Sequence, residues 1–162
     1  MPADFPTQPV SGAAPTMPGL DTLTAAASGK RSALAEVLAY THRFVTSYCR
    51  AALGPEPISD NLATQLGTAI TTGWPAAWAA RRDFLEFAYT SAHRAVRICR
   101  YQVPHQRLSG PLTDRQREII TLRVPVGLSP LETAVALDIP VRDVHRETRR
   151  AFAVLRAHPH VA

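Results

Sequence analysis

Several things are scarce in this sequence, and each scarcity closes off a class of protein. Lysine occurs once, at Lys30, and the rest of the 18 basic residues are arginine. Cysteine occurs twice, at Cys49 and Cys99. Two cysteines make neither a disulfide framework nor, unaided, a zinc site. Both sit inside helical patterns and read as reduced core residues. No stretch of apolar residues is long enough for a membrane span. No cationic start runs into an apolar segment, so no secretory signal is expected and the cytoplasm follows as the location. There is no GxGxxG, no P-loop and no arrangement of Ser, His and Asp suited to a nucleophile. The chain is therefore not expected to be an enzyme, to carry a cofactor or to hold a metal. His158 and His160 beside Pro159 read as a frayed tail. His42 and His93 read as helix-surface or interface residues.

What is present is apolar material and arginine. Hydrophobic residues make up 46% of the 162, enough for helical cores in one medium domain or two small ones. Basic residues outnumber acidic ones 18 to 13, for a net charge of +5. Arginine forks suit phosphate and guanine, where a lysine acts only as a point charge. A GC-rich coding bias accounts for the arginine excess equally well. A basic chain of this size points to nucleic acid or an acidic protein as partner.

The chain divides into four stretches, and the expected fold is all-α. Residues 1–29 carry five prolines among Gly, Ser, Thr and Ala. They offer too little apolar surface to offset ordering and read as a disordered tail. Residues 30–101 read as a small bundle of three helices. The first covers 31–52, with Leu34, Val37, Leu38, Phe44, Val45 and Tyr48 at helical spacing, and stops at Gly54-Pro55. Ser59 or Asp60 is expected to cap the second, which Gly73-Trp74-Pro75 should end. The third runs from about Asp83 to Tyr101. Trp74 and Trp78 are expected to cover the end of the bundle. Residues 102–110 form a linker without periodicity, and 111–158 a second domain.

That second domain carries the sharpest pattern. Thr113 with Gln116 and Ser129 with Glu132 are two capping boxes, the second with Pro130 at the first helical position. Between them Gly127 lets the chain turn. Ala134 is small, and Leu137, Ile139 and Val144 follow it at +3, +5 and +10. This is the buried set of a helix-turn-helix. The position after Leu137 usually takes glycine because its backbone turns left-handed; here it is Asp138, at modest cost. In the last helix Val144, Thr148, Ala151 and Leu155 point inward. The outward face then carries Arg142, His145, Arg146, Arg149 and Arg150. Such a face suits the major groove of double-stranded DNA, with Arg146 and Arg149 as the principal contacts. Asp143 and Glu147 dilute the stripe, and a solvated face on a protein-binding unit is the alternative.

LTDRQREIITLRVPVGLSPLETAVALDIP, followed by RRAFAVLR, resembles the C-terminal domain of extracytoplasmic-function (ECF) sigma factors of bacterial RNA polymerase. LuxR-type regulators share the first half of that pattern, and Arg150-Ala151 with Leu155-Arg156 tilts it toward sigma. LAEVLAYTHRFVTSYCRAALG and FLEFAYTSAHRAV resemble the family's N-terminal domain. The resemblance covers roughly 31–156 and implies promoter DNA and the polymerase core as partners. The C-terminal domain would read the upstream promoter element, with Ser129 among its DNA contacts. Arg97 and Arg100 would face melted DNA, where an aromatic near Trp74 and Trp78 could stack on a base. Asp60, Asn61 and Gln65 stand where the family has an acidic polymerase-binding cluster. With most of that charge gone, docking is expected to be weaker. The linker is shorter than the family's, and nine residues span at most roughly 30 Å. The alternatives are a degenerate sigma-like or LuxR-type regulator without productive polymerase engagement, and a module that binds an anti-sigma-like partner.

Overall fold

The computed structural model describes residues 16–102 and 110–158. It is all-helical among those residues, with seven helices and no strand. Most of the linker, and Pro159 and His160 of the expected frayed tail, lie outside the described residues.

The N-terminal lobe holds four helices: α1 (Leu20–Ala27), α2 (Arg31–Leu53), α3 (Pro57–Ala79) and α4 (Phe84–Gln102). The expectation of a disordered tail over 1–29 fails at α1. Leu23 and Ala26 are buried there, and the Leu23 carbonyl accepts from the Trp74 indole at 2.9 Å. The proline-rich composition of the segment masked a short apolar face made by these two residues. The indole N–H of a buried tryptophan needs an acceptor, and α1 supplies it.

α2 lays a row of aromatics along its inner face. Tyr40, Phe44 and Tyr48, four residues apart, have ring centroids 6.5 and 6.4 Å from their neighbours in the row. Opposite them, Phe84 meets Trp74 edge-on at 5.1 Å. Burying a side chain such as Phe84 or Ile70 stabilises the fold by about 1.5–3 kcal/mol each. α2 and α3 approach closely at Gly67, where a Cβ would sit 3.5 Å from the His42 Cα, in ordinary van der Waals contact.

Two expected boundaries move. Ser59 does not cap α3; Pro57 starts the helix, and the Ser59 hydroxyl donates to the Gly54 carbonyl at 2.7 Å. Proline's fixed φ suits the first helical position, so the helix begins three residues before a Ser59 cap would start it. Gly73-Trp74-Pro75 does not end α3 either, which continues to Ala79. Pro75 forfeits one backbone bond, but the burial of Trp74 and Ala77 on either side holds the last turn in place.

The C-terminal lobe holds α5 (Asp114–Arg123), α6 (Pro130–Leu137) and α7 (Val141–Ala157). Both capping boxes form as the spacing predicts. Ile119, Ala134 and Val144 make a small core, with Leu137 and Ile139 packed against it. Leu122, Leu128 and Ala136 do something the sequence did not announce: they join the N-terminal lobe's core. The lobes pack through α4 against α6 and α2 against α5.

Candidate nucleic-acid interface

The turn between α6 and α7 fixes the angle at which α7 is presented. Asp138 adopts the left-handed conformation, with φ 50° and ψ 52°. The amides of Asp138 and Ile139 then reach back to the carbonyls of Val135 and Ala134, at 3.2 and 3.0 Å. This closes the helix end in the manner usual for glycine. At the other end of α6, the Ser129 hydroxyl accepts from the Glu132 amide at 3.2 Å. An oxygen used as an acceptor keeps its own hydrogen for donation outward.

On α7, Val144 and Ala151 are buried, and Arg142, His145, Arg146, Arg149 and Arg150 are exposed. The helix packs on α5 and α6 within its own lobe. The five cations differ in how free they are. Arg146 is held by Asp143 at 2.8 Å and by Glu147 at 3.1 Å. Arg150 also reaches Glu147, at 3.0 Å. The Arg146 guanidinium beside it holds the Glu147 carboxyl below the usual carboxylate range, with the Gln116 amide and Arg150 acting in the same direction. Among the described residues no hydrogen bond or ion pair engages Arg142, His145 or Arg149. Arg142, His145 and Arg149 fall at helical spacings of 3 and 4, so they share one face.

In the N-terminal lobe the expected residues have separate fates. Arg97 is exposed on α4. Arg100 is partly covered and donates to the Ala52 carbonyl at 3.0 Å, steadying the end of α2. Asp60, Asn61 and Gln65 are exposed on α3, the first two adjacent and Gln65 about one turn further on. Asp60 takes a two-pronged bond from Arg50, at 2.7 and 3.0 Å, and that guanidinium holds its carboxyl below the usual range. Trp74 is buried and hydrogen-bonded, so its ring is not available for base stacking; only Trp78 beside it is partly exposed.

One polar cluster escaped the sequence reading. At the lobe interface the Tyr48 hydroxyl lies 3.0 Å from Glu118 of α5 and 3.0 Å from His93 Nδ1. Tyr89 reaches the same Glu118 oxygen at 3.3 Å. Burial, and then the Glu118 charge, push the Tyr48 hydroxyl far above the usual tyrosine range, so it stays a donor. His93 is thus an interface residue, one of the two roles expected for it. Tyr48 and Glu118 are 70 residues apart, and no local spacing could have paired them.

The chain matches no protein-family model. It is similar to the ECF RNA polymerase sigma factor SigD of Mycobacterium bovis and of Mycobacterium tuberculosis. In each case it is 33% identical over 180 residues, which cover 87% of this chain and 85% of the relative. It also resembles CnrH, solved in complex with the cytosolic domain of CnrY, with a TM-score of 0.62 and 23% identity over 85% of this chain and 94% of that one. That likeness shows the fold. An overlap of 87% takes in the N-terminal lobe as well as the helix-turn-helix, which does not favour the alternative of a LuxR-type regulator. The chain belongs to the ECF family of RNA polymerase sigma factors, which bind the polymerase core and direct transcription initiation by recognising promoter DNA.

Proposed function

We propose that α7 is the helix through which this sigma factor reads duplex promoter DNA, with Arg142, His145 and Arg149 as its leading contacts. The observation that carries this is their exposure on one face of a helix whose opposite face packs on α5 and α6 of its own lobe. Arg146 and Arg150 join once DNA phosphate competes with Glu147 for them. Ser129 contributes a hydroxyl donor at the start of α6. Arg97 contacts melted DNA, with Arg100 in support. Asp60, Asn61 and Gln65 meet the polymerase core, where Asp60 must exchange Arg50 for a polymerase cation. The lobes divide after α4, with the polymerase-facing lobe over 20–102 and the upstream-reading lobe over 111–158. The chain is proposed to work in the cytoplasm and to catalyse nothing itself. CnrH was solved with the cytosolic domain of CnrY, and an anti-sigma partner of that kind is proposed here too.

Salt-dependent binding to a labelled promoter duplex tests the DNA contacts. Each lost phosphate contact should lower the slope of log affinity against log salt by about 0.9. Arg142→Ala and Arg149→Ala should each do so, and Glu147→Gln should strengthen binding by freeing Arg150 and leaving Arg146 to Asp143 alone. An unchanged slope in both arginine variants overturns the assignment. Co-elution with core polymerase, compared with Asp60→Ala, tests the docking face.

A further inference from the structure

A cleft of about 640 Å³ opens where the lobes meet. It has the size of a small-molecule site. Arg97 and Arg100 of α4 line it from one side, and Arg115 and Arg117 of α5 from the other. Only two carboxylates share the cleft, Asp114 and Glu118. Both are already engaged: Asp114 binds Arg117 at 2.8 Å, and Glu118 accepts from Tyr48 and Tyr89. Arg100 spends a donor on the Ala52 carbonyl, and Arg117 spends another on the Leu112 carbonyl. Arg97 and Arg115 have no hydrogen-bond or ion-pair partner among the described residues. One comes from each lobe.

Bringing like charges together across an interface costs energy unless an anion joins them. Guanidinium forks favour phosphate, which accepts two parallel bonds from each. Tyr89 and Leu137 add an aromatic ring and an apolar wall to the same cleft. We propose that this cleft binds a small molecule bearing a diphosphate group, held between Arg97 and Arg115. Because the two arginines belong to different lobes, the ligand clamps the lobes together. By linkage it stabilises the packed arrangement over any state in which they part.

Calorimetric titration of the full chain at low salt tests this, with inorganic pyrophosphate in one arm and adenosine diphosphate in the other. One-to-one binding is expected, with the melting temperature rising as ligand is added. Arg97→Ala and Arg115→Ala should each weaken binding roughly tenfold, the loss of one charge-assisted contact. Arg31→Ala, at the exposed start of α2, should leave it unchanged. Tighter binding of the nucleotide supports a site that also uses Tyr89 and Leu137; equal binding supports a site for the diphosphate alone. No saturation by about 10 mM of either probe, beyond the range of even a millimolar site, overturns the proposal. So does binding that survives both variants but falls in Arg142→Ala, which would place the anion on α7. Duplex binding by the unaltered chain, measured in parallel without either probe, separates this result from any failure of the promoter reading.

Discussion

Removing Glu118 should loosen the seam between the lobes, and the size of the effect follows from its partners. The Tyr48 hydroxyl has one hydrogen and two neighbours at 3.0 Å, Glu118 and His93 Nδ1. A single hydrogen cannot serve both. With Glu118 ionised it goes to the carboxylate, and His93 Nδ1 either donates a hydrogen of its own to the Tyr48 oxygen or accepts from the Tyr89 hydroxyl, 3.4 Å away. A hydrogen bond to a charged acceptor contributes about 1.5–3 kcal/mol. The second bond, from Tyr89, is longer at 3.3 Å and adds less. Glu118→Ala is therefore expected to cost about 1.5–3 kcal/mol, the loss of a charged acceptor, because the Tyr48 hydroxyl can then turn to His93 Nδ1. Tyr48→Phe should cost about 1–2 kcal/mol, since Glu118 keeps Tyr89. The double variant should cost less than the sum, with a coupling of about 1–2 kcal/mol. Urea unfolding measures all three. Both tryptophans, Trp74 and Trp78, lie in α3 of the N-terminal lobe. Fluorescence thus reports that lobe, while far-ultraviolet circular dichroism reports every helix. The two probes should coincide in the parent chain and separate in Glu118→Ala, where the C-terminal lobe unfolds first. A coupling below about 0.5 kcal/mol, the level of independent sites, would refute the role given to this contact.

Three further outcomes are expected. Asp138→Gly should stabilise the C-terminal lobe by about 1 kcal/mol, because φ 50° costs a residue with a Cβ and not glycine; thermal melting of the two chains decides it. Burial pushes the Cys49 thiol up to about 12, and its sulfur is fully covered, whereas Cys99 is partly exposed. An alkylating reagent at about pH 8 should therefore label Cys99 first, with Cys49 labelled only on unfolding; equal rates would contradict the packing of α2. Arg50 depresses the folded Asp60 pKa, so this pair stabilises the chain above the ordinary aspartate pKa. That contribution is lost as pH falls through the depressed folded value. Arg50→Gln should move the Asp60 carboxyl titration, followed by nuclear magnetic resonance, back up toward the ordinary range.

Much of the C-terminal lobe is legible because its information is local. The capping boxes at Thr113 and Ser129 are four-residue patterns, and both form. The spacing from Ala134 to Val144 describes the small core that the structure contains. Asp138 breaks the glycine rule at the position where the backbone does turn left-handed. The exposed arginines of α7 follow from the same periodicity, since burying Val144 and Ala151 points Arg142 and Arg149 the other way.

Other features were decided by partners distant in sequence. α1 exists because Trp74 and the core of α2 to α4 give Leu23 and Ala26 somewhere to go; its own composition argues against it. α3 passes through Pro75 because burial on both flanks outweighs one missing bond. The pairing of Arg146 with Asp143 and Glu147 is the exception, a local one along α7 itself. The packing of the two lobes, the joint core with Leu122 and Leu128, and the arginine-lined cleft all depend on how α5 and α6 settle against α2 and α4. Helical periodicity records which side of each helix is apolar, and so determines that a buried face exists. Which helix covers that face is a matter of shape and charge between residues far apart in sequence, and only the folded chain resolves it.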